Sequence, residues 1–368
     1  MRTVGGWLSA CAISTLAVVL GGCQSTGPTT TAASAPQPVA IPEGAKLSTR
    51  AGEPPSWMIP NIGEAAESYY GPDSEHLIAQ VQSPLAVKGP RGLSGFLTKT
   101  FTDSGTDVVL INNKGWDACS YFFPDGKKLI WTSIKDNLDM PIGNWSDWRN
   151  YPQGSELYTS DRAGGNVVRL TNNKYYEAEV TVSPDGKWIV FGRMINKNMD
   201  LWIMKSDGTG EKQLTFTEDE QEGAPYFLPD SETIIYRYWK ATEYGQSPTP
   251  MTIATIKRDG TGYTPRTFTH DMNWAPYPTP DGEHFLFVRA ETPRNWEVYL
   301  GYLDGKTPPK RITFDEGFDG FPAISPDGRK MVWTTNRGTE NAGFMQGLKL
   351  HVMDVTSLNL GPKKKSRR

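Results

Sequence analysis

Cysteine and histidine are scarce in this chain, and long apolar runs are missing from almost all of it. The 368 residues hold three cysteines and four histidines. The histidines, His76, His270, His284 and His351, are scattered along the chain and form no local metal or acid–base cluster. No HExxH helix motif, no GxSxG elbow and no cysteine pair at metal-ligand spacing occurs, which removes the local signatures of zinc peptidases, α/β-hydrolases and zinc ribbons. The net charge is −3, so there is no global basic field of the kind that nucleic acid requires. Helical periodicity is weak. What is abundant is aromatic and turn-forming: 12 Trp, 15 Tyr, 14 Phe, 37 Gly and 28 Pro. That balance points to β structure with many tight turns.

The one apolar run lies at the start, from Trp7 to Leu20, behind a single basic residue, Arg2. It is too short to span a bilayer comfortably and reads as a targeting segment. Leu20-Gly21-Gly22-Cys23 resembles the lipobox of bacterial lipoproteins. The resemblance implies removal of residues 1–22 and acylation of Cys23. The alternative is an ordinary secretory signal in which Cys23 is incidental. Gln24 and Ser25 follow, without the Asp that often retains such proteins in the inner membrane, so the expected address is the outer membrane, facing the periplasm. Loss of residues 1–22 would also remove Cys11 and leave Cys119 alone, so no internal disulfide is expected. Cys119 sits in an apolar strand pattern and reads as a small buried hydrophobe. Residues 23–55 are rich in Ser, Thr, Pro and Ala and read as a lipidated Cys with a flexible tether.

The rest of the chain is periodic. The phrases YFFPDGKKLIWTS, VTVSPDGKWIVFGR, YFLPDSETIIYRY, YPTPDGEHFLFVRA and AISPDGRKMVWTTNR place marker prolines at Pro124, Pro184, Pro229, Pro280 and Pro326. Their spacings are 60, 45, 51 and 46 residues, and a degenerate copy puts Pro72 another 52 residues upstream. Each phrase is a turn flanked by strand-forming runs. Pro sets φ, Asp bonds its own backbone, and Gly takes positive φ. A second hairpin follows each turn, as in DLWIMKSDGTGEKQLTF and EVYLGYLDGKTPPKRITF. Four antiparallel strands repeated six times make an all-β, six-bladed β-propeller. A poor fourth strand after LKLHVMDV leaves the last blade incomplete. Closure by an N-terminal strand, Ala45–Arg50 or Trp57–Ile62, is therefore expected. The propeller is read over 56–360 and a basic tail over 361–368.

These phrases, with their RLT, QLT and RIT endings, resemble the PD40 (WD40-like) propeller repeats of TolB and its relatives over roughly residues 65 to 355. The resemblance implies a propeller scaffold that binds partners. It departs from TolB in lacking the α/β domain that precedes that propeller, so no role in the Tol–Pal system is carried over. Enzymes of the wider family either carry a hydrolase domain after the propeller or set several His at the channel mouth, and neither pattern is present.

Candidate site residues follow from the repeat. The residue seven before each marker Pro should lie near the top mouth of the channel: Ala65, Asp117, Glu177, Glu222, Asn273 and Asp319. Asp117, Glu177, Glu222 and Asp319 around one axis would hold a cation such as Ca²⁺, or a Lys or Arg of a partner. Alternatively, each caps the loop entering its own blade. The long second repeat adds Trp145, Trp148 and Tyr151 to the top face, the fourth adds Trp239 and Tyr244, and Trp274 lies beside Asn273. Such rings anchor peptides or stack on sugars, or pack against neighbouring blades. The recurring Arg193, Arg237, Arg289 and Arg337 read as structural, as do His76 and His284. The expected protein is an outer-membrane-anchored, monomeric scaffold binding a protein or peptide at its top face. The alternative is a carbohydrate-active protein that binds or cleaves envelope polysaccharide with its top-face carboxylates and aromatics.

Overall fold

The chain is described here by a computed structural model covering residues 37–89, 94–339 and 343–363. The signal segment, Cys23 and the first part of the tether lie outside the described residues, as does the tail beyond Lys363. Six antiparallel sheets follow one another in sequence, five of four strands and one of five. The innermost strands are Ala65–Tyr70, Asp117–Phe122, Tyr176–Val182, Glu220–Phe227, Asn273–Pro278 and Asp319–Ile324, one for each of blades one to six. The expected six-bladed propeller is what forms.

The PD turns work as their chemistry predicts. Asp125 Oδ1 accepts from the backbone N–H groups of Lys127 and Lys128 at 2.8 and 3.2 Å. Asp185, Asp281 and Asp327 repeat this arrangement in their own turns. The glycine that ends the turn adopts positive φ, 66° at Gly126 and 73° at Gly186. Where the repeat has Ser instead, Ser74 and Ser231 take the same left-handed conformation, φ 60° and 58°. Their hydroxyls then accept from the N–H of Asp327 and Asp185 of the adjoining blade, both at 3.1 Å. A substitution that looks like decay of the motif thus ties blades together.

The ring closes at the sixth blade through the N-terminal segment. Strand Ser56–Met58 pairs with Lys349–Asp354, Trp57 opposite Val352 and Met58 opposite His351. Leu47–Ser48 adds a fifth strand outside it. Both segments expected as closing strands are therefore used. Trp57 is 1% exposed and sits in the main core with Trp333 and Val352. Fully burying a large apolar side chain contributes about 1.5–3 kcal/mol, which together with the strand's ladder hydrogen bonds offsets the entropy of ordering it, about 1–2 kcal/mol per residue.

The tether is shorter than its composition implied. Val39 N donates to Asp354 Oδ2 at 2.9 Å, and Val39 and Ala45 pack on the core. Arg50 pairs with Asp315 at 2.7 Å. The Glu53 carboxylate, wholly buried, accepts from Arg337 at 2.9 Å and from the N–H of Phe314 at 2.6 Å. Residues from 37 onward thus belong to the sixth blade. Their Pro and Ser content reflects an irregular path over a sheet edge. At the other end Pro362 lies over the bottom mouth of the channel, and Lys363 pairs with Glu283. The segment passes so close to the last PD turn that a Cβ on Gly328 would fall 2.2 Å from the Gly361 nitrogen.

Candidate functional site

Every innermost strand carries the same irregularity. In all six blades its pairing with the second strand shifts register part-way along. One residue at this shift takes positive φ: Glu67 53°, Cys119 32°, Glu179 56°, Ala224 48°, Ala275 49° and Phe321 49°. Such bulges re-aim a side chain at the cost of local strain. Here they place all six residues on the wall of one top-face cavity of about 420 Å³.

Two residues further on, four strands carry tyrosine. Tyr69 and Tyr226 share a hydrogen bond of 2.7 Å between their hydroxyls, and Tyr121 and Tyr277 one of 3.2 Å. The rings pack at centroid distances of 5.0 to 6.3 Å. Burial pushes all four phenols up, so they stay neutral donors and acceptors to one another. Tyr69 and Tyr226 floor the upper cavity, while Tyr121 and Tyr277 line a second, lower one of about 380 Å³ ringed by the six PD prolines. The four rings separate the two cavities.

The aromatic residues expected at the top face converge on the upper cavity. Trp145, Trp148, Tyr151, Trp239 and Trp274 all line it, with Tyr244. A short 3₁₀ turn, Trp148–Asn150, capped by Asp147, projects the long second-blade loop over the mouth. Tyr151 stacks on Tyr176 at 4.1 Å, Trp148 meets Tyr244 edge-on at 5.5 Å, and Trp274 meets Phe321 at 4.5 Å. Arg149 lies over the Tyr244 ring at 4.5 Å.

The residues seven before each marker Pro lie elsewhere. Asp117, Glu177, Glu222, Asn273 and Asp319 are at most 2% exposed, and neither they nor Ala65 line the cavity. Their partners are within or between blades. Asp117 accepts from Thr98 N and Asn112 Nδ2 at 2.9 and 2.7 Å, Glu177 from Arg193 Nε at 2.6 Å, and Asp319 from Arg337 Nη2 and Trp333 Nε1 at 2.7 and 2.9 Å. Asn273 Oδ1 accepts from Arg289 Nη2 at 3.0 Å. The expected carboxylate ring at the mouth is thus corrected: the bulge turns these side chains into the sheets and brings forward the residues two places later. Among the described residues no group of three or more His, Cys, Asp or Glu side chains is placed to hold a metal ion.

Blade four departs from this pattern. In blade three Arg193 stands opposite Glu177, but in blade four Arg237 stands opposite Gly223 and Tyr238 opposite Glu222. A one-residue offset sends a side chain to the other face of a strand. Arg237 therefore points towards the channel, where its Nη2 donates to Glu179 Oε1 at 2.7 Å and its guanidinium lies 4.5 Å from the Trp239 ring. Glu179 Oε2 accepts from the Ala224 N–H at 2.8 Å. A Cβ on Gly223 would come within 2.2 Å of Arg237 Nη1 and 2.1 Å of Glu179 Oε2, so this pair needs glycine there. Glu222, left without a cation, is bonded by Thr217 alone, and burial raises its pKa to about 8. Glu67, on the same wall as Glu179, is raised by burial to about 6. Of the four recurring arginines, Arg237 is thus the one that lines the cavity.

No protein-family model matches the chain. Among curated proteins, the uncharacterized protein Atu1656 of Agrobacterium fabrum is 25% identical over 288 residues, 75% of this chain and 86% of that protein. Two solved TolB-type structures align at TM-score 0.56 and 18% identity. The one from Agrobacterium tumefaciens is covered over 90% of its length and 79% of this chain, and the one from Acinetobacter baumannii over 65% and 78%. The fold is a TolB-like propeller. An oligogalacturonate lyase solved with manganese shares it at TM-score 0.52 and 14% identity, over 85% of this chain and 96% of that one.

Proposed function

We propose that this protein is a cell-envelope binding module, held to the outer membrane by lipid on Cys23, that captures a peptide segment of a partner protein in its upper cavity. The observation that carries this reading is the cavity itself. Five aromatic residues from three different repeats, Trp145, Trp148, Tyr151, Trp239 and Trp274, converge there although nothing in the repeat requires it. Aromatic anchors in a largely desolvated pocket supply most of the energy of peptide and protein recognition. The TolB-like fold supports a scaffold role.

The test is site-specific photo-crosslinking in intact cells. A crosslinking residue at Ser247, on the cavity wall, should give a discrete protein adduct, and one at Ser231, in a PD turn, should not. Trp148→Ala and Trp239→Ala should weaken the Ser247 adduct. Equal labelling from both positions would remove the assignment to this cavity. Cys23→Ser should move the protein from the membrane to the soluble envelope fraction; retention in the membrane would remove the lipid anchor.

A second reading is carbohydrate binding. It is favoured by five tryptophans at one cavity, since indole faces stack on sugar rings as readily as on peptide. A glycan adduct at Ser247, in place of a protein one, would select it.

A further inference from the structure

The upper cavity has one polar feature that its aromatic walls do not explain. Six buried polar atoms of its lining residues have no hydrogen-bond partner: Nε and Nη1 of Arg237, and the indole nitrogens of Trp145, Trp148, Trp239 and Trp296. All six are donors. Among the described residues, no buried acceptor on this wall is left without a partner. Buried donors are normally matched, so a consistent excess of one kind describes what is missing: a group rich in acceptors.

Arg237 sets the character of that group. It is 4% exposed, and Glu179 takes up only Nη2. Its counterpart Arg193 is saturated, with Nε on Glu177 and Nη1 and Nη2 on the two oxygens of Glu211. A guanidinium holds five donors in one rigid plane, and the free Nε and Nη1 lie on different edges of it, each able to donate to a carboxylate oxygen. Glu179 takes neither of these two donors, because Nη2 of Arg237 and the Ala224 N–H already engage its two oxygens. The cavity is also a dead end. Tyr69 and Tyr226 close it below, one layer beneath Glu179 and Ala224. Its size lies near the low end of ligand pockets, about 300–1,000 Å³. A chain that enters must therefore stop there or double back.

We infer that the upper cavity receives the free C-terminal carboxylate of a peptide, which accepts from an unused donor of Arg237, Nε or Nη1, with the last side chains held between the tryptophans. This deepens the peptide-binding reading above and rests on it. Capture of a chain end by fixed donors is a general recognition mode, and it makes specificity depend on one charged group rather than on a long sequence.

The probes are two pools of N-acetylated pentapeptides of random sequence lacking Trp and Tyr, identical except that one ends in a carboxylate and the other in a carboxamide. Each is titrated into the full-length protein in detergent while tryptophan fluorescence is followed. The carboxylate pool should bind about tenfold more tightly or better, as expected for a charge-assisted pair. Arg237→Gln should erase that preference and leave amide binding unchanged, and Arg237→Lys should keep part of it. The comparison of the two pools on the unmodified protein stands even where the variants fail to fold. Equal affinity for both pools would overturn the terminal-carboxylate inference and leave peptide binding intact. No binding of either pool would overturn both. Binding of a galacturonate trisaccharide in the absence of peptide binding would assign Arg237 to a sugar carboxylate and also overturn the inference.

Discussion

Arg237 of blade four donates to Glu179 of blade three at 2.7 Å inside the channel, whereas Arg193 of blade three turns the other way to Glu177, within its own sheet. One register step separates the two arrangements. The consequence for stability is unequal. Glu177 is fully buried, so Arg193→Leu leaves an uncompensated charge in a dry interior. The expected cost is about 3–5 kcal/mol. Glu179 keeps 17% side-chain exposure and a backbone N–H donor, so Arg237→Leu should cost distinctly less. Urea denaturation of both variants decides this, and equal losses would mean that Arg237 is scaffold like the others.

The stranded Glu222 predicts an alkaline effect. Its pKa rises from the usual 4.5 to about 8, first through burial and then through the nearby Asp200 and Glu220, against a bond from Thr217. The folded state therefore keeps a proton that the unfolded chain releases, and this group's stabilisation is lost as pH rises from about 4.5 through 8. Glu222→Gln should be more stable than the parent at pH 9 by at least the ~1.4 kcal/mol that one pKa unit represents. At pH 4 the two should nearly match. Thermal melting across this range checks the difference, and parallel curves would show that Glu222 titrates normally.

What could be read from the chain, and what could not, divides along the same lines. The PD turns and hairpins are local, so Pro, Asp and Gly at fixed offsets reveal six blades and the loops that carry Trp145, Trp148 and Trp239 to one face. The column of Tyr69, Tyr121, Tyr226 and Tyr277 was equally visible, at a constant place in four repeats. The bulge was not. It needs positive φ at Glu67, Cys119 and Glu179, residue types that do not announce it. Counting along a regular strand therefore selects Asp117 and Glu177, two places too early. The reassignment of residues 37–55 has another cause. Glu53 meets Arg337 across 284 positions, and no local pattern reports such a contact.

Closure of the ring depends on that N-terminal segment. Removal of residues 1–36 should leave the melting temperature unchanged, while removal of residues 1–58 should abolish cooperative unfolding, because Trp57 and the pairing with Lys349–Asp354 go with it. Trp57→Ala alone should cost about 3–5 kcal/mol. A stable protein lacking residues 1–58 would show that the sixth blade stands on three strands.

His351 makes the same joint acid-sensitive. It lies opposite Met58 and Trp333, both ring nitrogens lack partners, and burial, then Arg337, lowers its pKa to about 3. The unfolded chain binds a proton that the folded one refuses, so this contribution fades as pH falls from about 6.5 towards 3. His351→Phe should flatten the loss of stability between pH 6.5 and 4.5, as read by urea midpoints. An unchanged slope would place the acid response elsewhere.

Glu67 should tune what the cavity accepts. It faces Glu179, Arg237, Cys119 and Tyr69, and burial, opposed by the bond from Cys119, raises it to about 6. At pH 8 it is ionised and repels an incoming carboxylate; at pH 5 it is largely protonated and can donate. Binding of the carboxylate peptide pool should therefore tighten several-fold from pH 8 to pH 5, while the amide pool stays level. Glu67→Gln should bind the carboxylate pool at pH 8 as tightly as the parent does at pH 5, with the pH dependence gone. Were the parent to bind carboxylate more tightly at pH 8, Glu67 would have to be a receptor for a cation, and Arg237 a brace that holds Glu179 beside it.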